Sequence, residues 1–195
     1  KNLWPDENEK PIVREYNITW PEPELEATHP YLIKKKIGLG NAAINGNMLV
    51  IPVINAQGKR VGVQNIDPNG SKKFSAGMPV VGNFSVIGGK LEDTAYVCEG
   101  WATAMSVHMA TGKPSVFALS AGNMTAVVGE LLEARPNLRL IIAGDNDEAG
   151  MKAIERCVED HGVKSVMPDI GGWDFSDMWI NRGKEATAKA LEVKS

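Results

Sequence analysis

The sequence predicts an α/β fold, a four-stranded parallel sheet with helices on both faces, preceded by a small basic β-rich subdomain. Three observations carry this reading. From residue 94 onward, short apolar runs alternate with helix-length segments, which is the pattern of a parallel sheet. Before them stand strand-like runs joined by tight glycine turns. The charge is also divided along the chain, so that the net charge of -3 is a cancellation. Residues 31–90 hold eight Lys or Arg against one acid, Asp67; residues 1–30 hold three against seven, and residues 91–195 ten against sixteen.

Taken in order, residues 1–30 are acidic and carry Pro5, Pro11, Pro21, Pro23 and Pro30, with Trp4 and Trp20 as isolated apolar anchors. They read as an arm or linker. In residues 31–90, the run Met48-Leu-Val-Ile-Pro-Val-Ile leads through an Asn55–Gly58 turn to Lys59–Ile66, and through an Asp67–Gly70 turn to Lys72-Lys-Phe74. Val- and Ile-rich runs with short turns predict an antiparallel meander. In residues 91–195, strands are predicted at Tyr96–Cys98, Ser115–Leu119, Leu138–Ala143 and Val163–Met167. Helices are predicted at Trp101–Thr111, Thr125–Ala134 and Ala149–Asp160, with Gly112 and Gly162 as stop signals.

Composition limits the function classes. With 43% hydrophobic and 23% charged residues, a chain of this length buries roughly 70% of its unfolded surface, enough for a real core. No apolar run approaches the roughly 20 residues of a membrane helix, and no export signal opens the chain, so no membrane partner is expected. Cys98 and Cys157 are too far apart for CxxC chemistry, and the three histidines are scattered, so no zinc site is predicted and a reducing cytoplasm fits. The chain begins at Lys1, which points to a piece of a longer protein.

The acids fall where an open parallel sheet gathers its functional groups, beyond the carboxyl ends of the strands. Glu99-Gly100 follows the first strand, Asp145-Asn-Asp147 the third, and Asp174 and Asp177 the fourth, through Gly171-Gly172. Like charges about 4 Å apart repel by about 4 kcal/mol at an effective dielectric of about 20, so an ionised cluster calls for a cation. All-oxygen ligands suit Mg2+ or Mn2+. Taken singly, Glu99 also fits a helix N-terminal acid, Asp147 an ordinary N-cap, and Trp-Asp-Phe-Ser-Asp a polar turn. Gly100 permits a tight strand-to-helix turn with exposed N–H groups, and Gly150 close helix packing. His108, Cys157 and Cys98 read as packed core residues.

At Glu99-Gly100 and Asp145-Asn-Asp147-Glu-Ala-Gly150 the sequence resembles the Toprim family, shared by bacterial-type primases, topoisomerases and some nucleases and recombination proteins. The wider resemblance is to primases. Asp147-Glu-Ala-Gly150-Met-Lys-Ala153 looks like the primase form of the acidic motif, and Asp174-Phe-Ser-Asp177 stands where primases place a third acidic pair, after Pro168-Asp-Ile-Gly171. Gly46-Asn-Met-Leu-Val-Ile-Pro-Val, Gly58-Lys-Arg-Val-Gly62 and Lys72-Lys-Phe resemble the basic subdomain beside it, so the likeness covers roughly residues 31–182. Many bacterial primases carry an arginine where Met48 stands and basic residues where Val63–Ile66 stands. Glu99–Ala104 and Ser120-Ala-Gly-Asn123 look more like phage- and plasmid-borne forms.

The resemblance implies RNA primer synthesis on single-stranded DNA from NTPs. It makes Glu99, Asp145 and Asp147 the catalytic carboxylates. The Mg2+ or Mn2+ set is these three with Asp174 and Asp177. Lys34, Lys35, Lys36, Lys59, Arg60, Lys72 and Lys73 are the candidate contacts to nucleic acid or nucleotide, against the alternative of a solvated charged face. A replicative helicase, fused or separate, is a candidate partner. The competing readings are a Toprim nuclease with the same acids and a non-catalytic nucleic-acid-binding replication module. A topoisomerase needs a linking tyrosine, and Tyr16, Tyr31 and Tyr96 have no suitable context. A phosphatase of the haloacid dehalogenase type with Asp145 as nucleophile generally has Thr or Val where this chain has Ala149.

Overall fold

The structure, a computed structural model, describes residues 29–193. The arm expected at residues 1–30, with Trp4 and Trp20, lies outside the described residues except for His29 and Pro30. His29 opens helix α1 (Pro30–Lys35): its Nδ1 accepts from the Tyr31 N–H at 3.2 Å, and Pro30 fills a first-turn position that needs no amide donor. Lys36 ends the helix in the left-handed region, at φ 53.

The meander is present as β1 (Ala43–Asn45), β2 (Met48–Ile54), β3 (Arg60–Ile66) and β4 (Lys72–Phe74), all antiparallel in that spatial order, with β1 as an additional strand. Alternation along β2 sends Leu49, Ile51 and Val53 to one face, where they are fully buried. That face packs into the same apolar cluster as Trp101 and Met105.

The main sheet has five strands, β5 (Ser85–Ile87), β6 (Thr94–Cys98), β7 (Ser115–Phe117), β8 (Arg139–Ala143) and β9 (Lys164–Val166), in the order β5-β7-β6-β8-β9. The last four are parallel, as the sequence predicts; β5 adds an antiparallel edge against β7. Three residues are too short a run to stand out by periodicity. The boundary expected at residue 90 therefore falls after a strand that already belongs to this sheet. Charge reports on the solvent-facing side chains, whereas Ser85–Ile87 joins through its backbone.

Helices α2 (Trp101–Thr111) and α5 (Phe175–Ala190) cover one face of the sheet, and α3 (Met124–Ala134) and α4 (Glu148–His161) the other. Alternation in β6 divides the core: Tyr96 and Cys98 face the first pair, Ala95 and Val97 the second. Helix α2 is buried continuously from Trp101 to Val107, because the meander closes over the side that a two-layer fold would leave wet. Helix α5 has no counterpart in the sequence reading, since Gly183, at φ 77, interrupts its periodicity. No helix of the described residues is long and apolar enough to cross a membrane.

Two asparagines fasten the layers. Asn41 Nδ2 donates to Ser85 Oγ at 2.7 Å and to the Val86 carbonyl at 2.9 Å, while its Oδ1 accepts from Trp101 Nε1 at 3.0 Å. Buried Asn123 accepts from the Gly82 N–H at 2.8 Å and donates to the carbonyls of Asn83 at 3.0 Å and Ala118 at 2.8 Å. Asn123→Ala strands three buried backbone groups at once. It is expected to lower stability by about 2–4 kcal/mol, read as a lower denaturant midpoint at unchanged slope.

Candidate active site

The carboxyl ends of the parallel strands open into a cleft of about 300 Å³. Its lining brings Glu99, Asp145 and Asp174 together with Lys34, Lys35 and Lys72, so the two charge classes that are far apart in sequence meet here. Glu99 arrives directly from β6 and Asp145 from β8 through Gly144. Asp174 belongs to the connection after β9, which Asn146 draws inward. The Asn146 N–H donates to the Trp173 carbonyl at 2.9 Å, its carbonyl accepts from Gly172 at 2.6 Å, and its Nδ2 donates to the Pro168 carbonyl at 2.9 Å. The middle residue of Asp-Asn-Asp is thus the tie between the two acidic loops.

Asp174 is N-cap of α5 in a reciprocal capping box. Its Oδ1 accepts from the Asp177 N–H at 2.7 Å, Asp177 Oδ2 accepts from the Asp174 N–H at 3.4 Å, and Asp174 Oδ2 accepts from Thr103 Oγ1 at 3.1 Å. Asp147, with an exposed side chain, caps α4, accepting from the Gly150 N–H at 2.8 Å. The capping role weighed for Asp147 is therefore the one seen, and its charge still bears on Glu99 and Asp145.

Crowded carboxylates resist ionisation. Burial first, then the charges of Asp174, Glu99, Asp147 and Asp177, push Asp145 up to about 7. Its Oδ1 is buried with no hydrogen-bond partner. Glu99 is also raised, chiefly by burial with Asp147 and Asp174 adding, while the Ala121 N–H and Lys72 pull the other way. The chain leaves β7 through Leu119 at φ 73, which costs a non-glycine residue about 1–2 kcal/mol, and the turn that follows presents that N–H.

Among the described residues, no three His, Cys, Asp or Glu side chains stand as a ready-formed ligand set. The donor chemistry nonetheless fits a hard cation: every acid at the cleft offers oxygen, and one Asp145 oxygen is buried and unsatisfied.

The basic residues divide. Lys34 and Lys35 reach the cleft from the last turn of α1, and Lys72 from the start of β4. Lys72 keeps an open side to solvent, yet the protein around it and the charge of Lys35 hold its ammonium below the ordinary value, against the pull of Asp174, Glu99 and Asp145. Lys36 instead clips α1 to α5, its Nζ donating to the Ile180 carbonyl at 3.1 Å while its own carbonyl accepts from Trp179 Nε1 at 2.8 Å. Lys73 alternates to the face of β4 opposite Lys72, and Lys59 and Arg60 sit at the β2–β3 turn; none of the three lines the cleft.

Gly100 lines the cleft as N-cap of α2 in extended backbone, where a Cβ would meet only Thr103 Oγ1, at 3.5 Å. Cys98, fully buried, is raised by burial and is a core thiol. His108 packs at the end of α2, its Nδ1 2.8 Å from the Lys113 carbonyl. The sequence reading missed Tyr31, Asn69 and Thr103 at the cleft. The Asp67–Gly70 turn was legible as a turn, but nothing in the sequence shows what it lies over.

Comparison with known proteins agrees with this architecture. Residues 94–185 match the Toprim domain family. A DNA primase TraC of Escherichia coli is 30% identical over 160 residues, covering 74% of this chain and 11% of that protein. A second DNA primase TraC of the same species is 33% identical over 125 residues, covering 60% of this chain and 12% of that protein. The chain thus spans only about a tenth of these relatives. The primase fragment of the bacteriophage T7 primase-helicase protein superposes with a TM-score of 0.66 at 17% identity, over 83% of this chain and 73% of that one. A DNA primase domain from Pseudomonas aeruginosa gives 0.54 at 16% identity, over 82% and 61%. The fold is that of primase catalytic cores.

Proposed function

We propose that this chain, whose residues 94–185 form a Toprim domain on a primase-type fold, is the catalytic core of a DNA primase of phage or plasmid type. It synthesises RNA primers on single-stranded DNA by nucleotidyl transfer. The observation that carries the reading is the single cleft in which Glu99, Asp145 and Asp174 stand with Lys34, Lys35 and Lys72. A polymerase must hold a polyanion and place carboxylates beside its phosphates, and the lining of this one cleft offers both signs.

Glu99, Asp145 and Asp174, with Asp147 and Asp177 flanking, would hold Mg2+ or Mn2+, which supplies charge neutralisation at the transferring phosphoryl group. Lys34, Lys35 and Lys72 bind the triphosphate and adjacent backbone, so affinity falls as salt rises. Glu99, open to the cleft and made a stronger base by its burial, takes the proton of the attacking primer hydroxyl in its ionised form. The proposed setting is the cytoplasm. The fold relative in bacteriophage T7 is part of a primase-helicase protein, which supports a replicative helicase, fused or separate, as partner.

The test is incubation with Mg2+, labelled single-stranded DNA and a short RNA primer already annealed, with and without NTPs. The annealed primer removes the need for a separate template-recognition module. NTP-dependent extension with the template intact is expected; NTP-independent shortening of the DNA would assign the same acids to a nuclease.

A further inference from the structure

Both charged sets at the cleft leave the Tyr31 hydroxyl unused. The residue is only 4% exposed and lines the cleft, and its hydroxyl, hydrogen-bonded to no described residue, is open to the cleft. The ring is fixed on two sides. Its backbone N–H is held by His29 Nδ1, and His29 is itself held, its Nε2 lying 3.0 Å from the Asn47 carbonyl. Across its face lies Gly70, at φ +91, where a Cβ would stand 3.2 Å from Tyr31 Cε2 and 3.3 Å from Cδ2. Asp67 locks that turn, its Oδ1 accepting from the N–H of Asn69 at 2.9 Å and of Ser71 at 2.8 Å. A hydroxyl held at a cleft wall by a fixed ring, and not engaged by the protein, is placed to pair with a ligand that enters the cleft.

We propose that Tyr31 reads a ribose hydroxyl of the nucleoside triphosphate bound in this cleft. The inference rests on the nucleotidyl-transfer reading and deepens it. The lysines match phosphates and the carboxylates match a cation; the part of a nucleotide that is neutral, and both donates and accepts, is its sugar hydroxyl. Burial and the charge of Asp174 push the Tyr31 hydroxyl up to about 12, so it stays a neutral donor and acceptor throughout the working range. Its spacing also fits. Lys34 and Lys35 follow Tyr31 by three and four residues on α1, so the phenol and the two ammonium groups share one helical face, as sugar and phosphates of one nucleotide require.

The experiment is equilibrium binding of ATP, 2′-deoxy-ATP and 3′-deoxy-ATP, in Mg2+, to the wild-type chain and to Tyr31→Phe. The phenyl ring keeps the packing under Gly70, and an unchanged denaturant midpoint confirms the fold. The wild type is expected to prefer ATP over one deoxy analogue by about tenfold, and Tyr31→Phe to bind ATP about tenfold more weakly and lose that preference. Which analogue suffers identifies the hydroxyl. Equal binding of all three by the wild type, or a preference that survives in Tyr31→Phe, overturns the assignment. Primer extension on the same preparations keeps the two readings apart: sugar discrimination without synthesis sinks the polymerase reading alone, and synthesis without discrimination sinks the Tyr31 assignment alone. Failure to bind any of the three overturns both.

Discussion

Asp145→Asn is expected to cut primer extension by at least about a hundredfold while making the metal-free protein more stable. The loss follows from removing a charged carboxylate from the centre of the acidic set, where preorganised electrostatics commonly carry two to three orders of magnitude of rate. The gain follows from the same crowding. Asp145 is pushed up to about 7, from an ordinary value of 3.8, by burial and by Asp174, Glu99, Asp147 and Asp177. For a carboxyl raised in the folded state, the folded chain keeps a proton that the unfolded chain releases. That stabilisation is whole at low pH and is lost as pH rises through about 7. The asparagine variant, neutral throughout, therefore gains on the wild type as pH rises from about 4 to about 7 and keeps the full advantage above that, so its lead is smaller at pH 5 than at pH 8. Reduced for the solvent that still reaches the side chain, the difference is about 1–2 kcal/mol, roughly 3–6 °C in Tm. Added Mg2+ should raise the wild-type Tm and leave the variant almost unmoved. Thermal melts at pH 5 and pH 8, with and without Mg2+, check all four corners. Equal Mg2+ shifts in both proteins would remove Asp145 from the cation's ligands.

The acids were legible before the fold because one rule applies to all of them: they follow strand ends, and an open parallel sheet gathers strand ends at one edge. Glu99, Asp145 and Asp174 met there for that reason. Asp147 and Asp177 occupy the same edge, but their oxygens accept from Gly150 and Asp174, because a carboxylate just before or just inside a helix finds unpaired N–H groups first. The lysines were less legible. Composition marks residues 31–90 as basic, but it carries no phase, and phase decides whether Lys72 or Lys73 faces the cleft. Tyr31 was visible only as a tyrosine without topoisomerase context. Its place depends on a turn 36 to 39 residues away folding over it, a contact no local pattern encodes. The same holds for Asn146, whose neighbours in sequence drew attention as acids while its own amide ties the loops.

Gly150→Ala should separate two effects of opposite sign. Gly150 lies in the first turn of α4, where alanine is the better helix former by about 1 kcal/mol, so local propensity alone predicts stabilisation. The packing predicts the reverse. A Cβ at Gly150 would stand 2.3 Å from the Asp145 carbonyl oxygen, 2.9 Å from its carbonyl carbon and 3.0 Å from its Cβ. Backbone does not yield as a flexible side chain does, so either α4 or the Asp145 loop must move. The helix is seated by Ala153, Ile154 and Cys157 in the core, and the loop by Gly144 on the Val166 carbonyl at 3.0 Å and by Asn146 on that of Trp173 at 2.9 Å. Overpacking therefore wins, by about 2–3 kcal/mol net. Whatever shift relieves the clash also displaces Asp145, and a displacement of about 1 Å at a reacting centre costs roughly a hundredfold in rate. Gly171→Ala is the control: it lies in the connection to Asp174, but nothing stands within 4 Å of its Cβ position, so its stability should stay within about 0.5 kcal/mol of the parent. Denaturant midpoints and primer extension, measured on both variants, decide the matter. A Gly150→Ala protein as stable and active as the parent would show that α4 approaches Asp145 less closely than the structure places it, and the packing account of this glycine would fall.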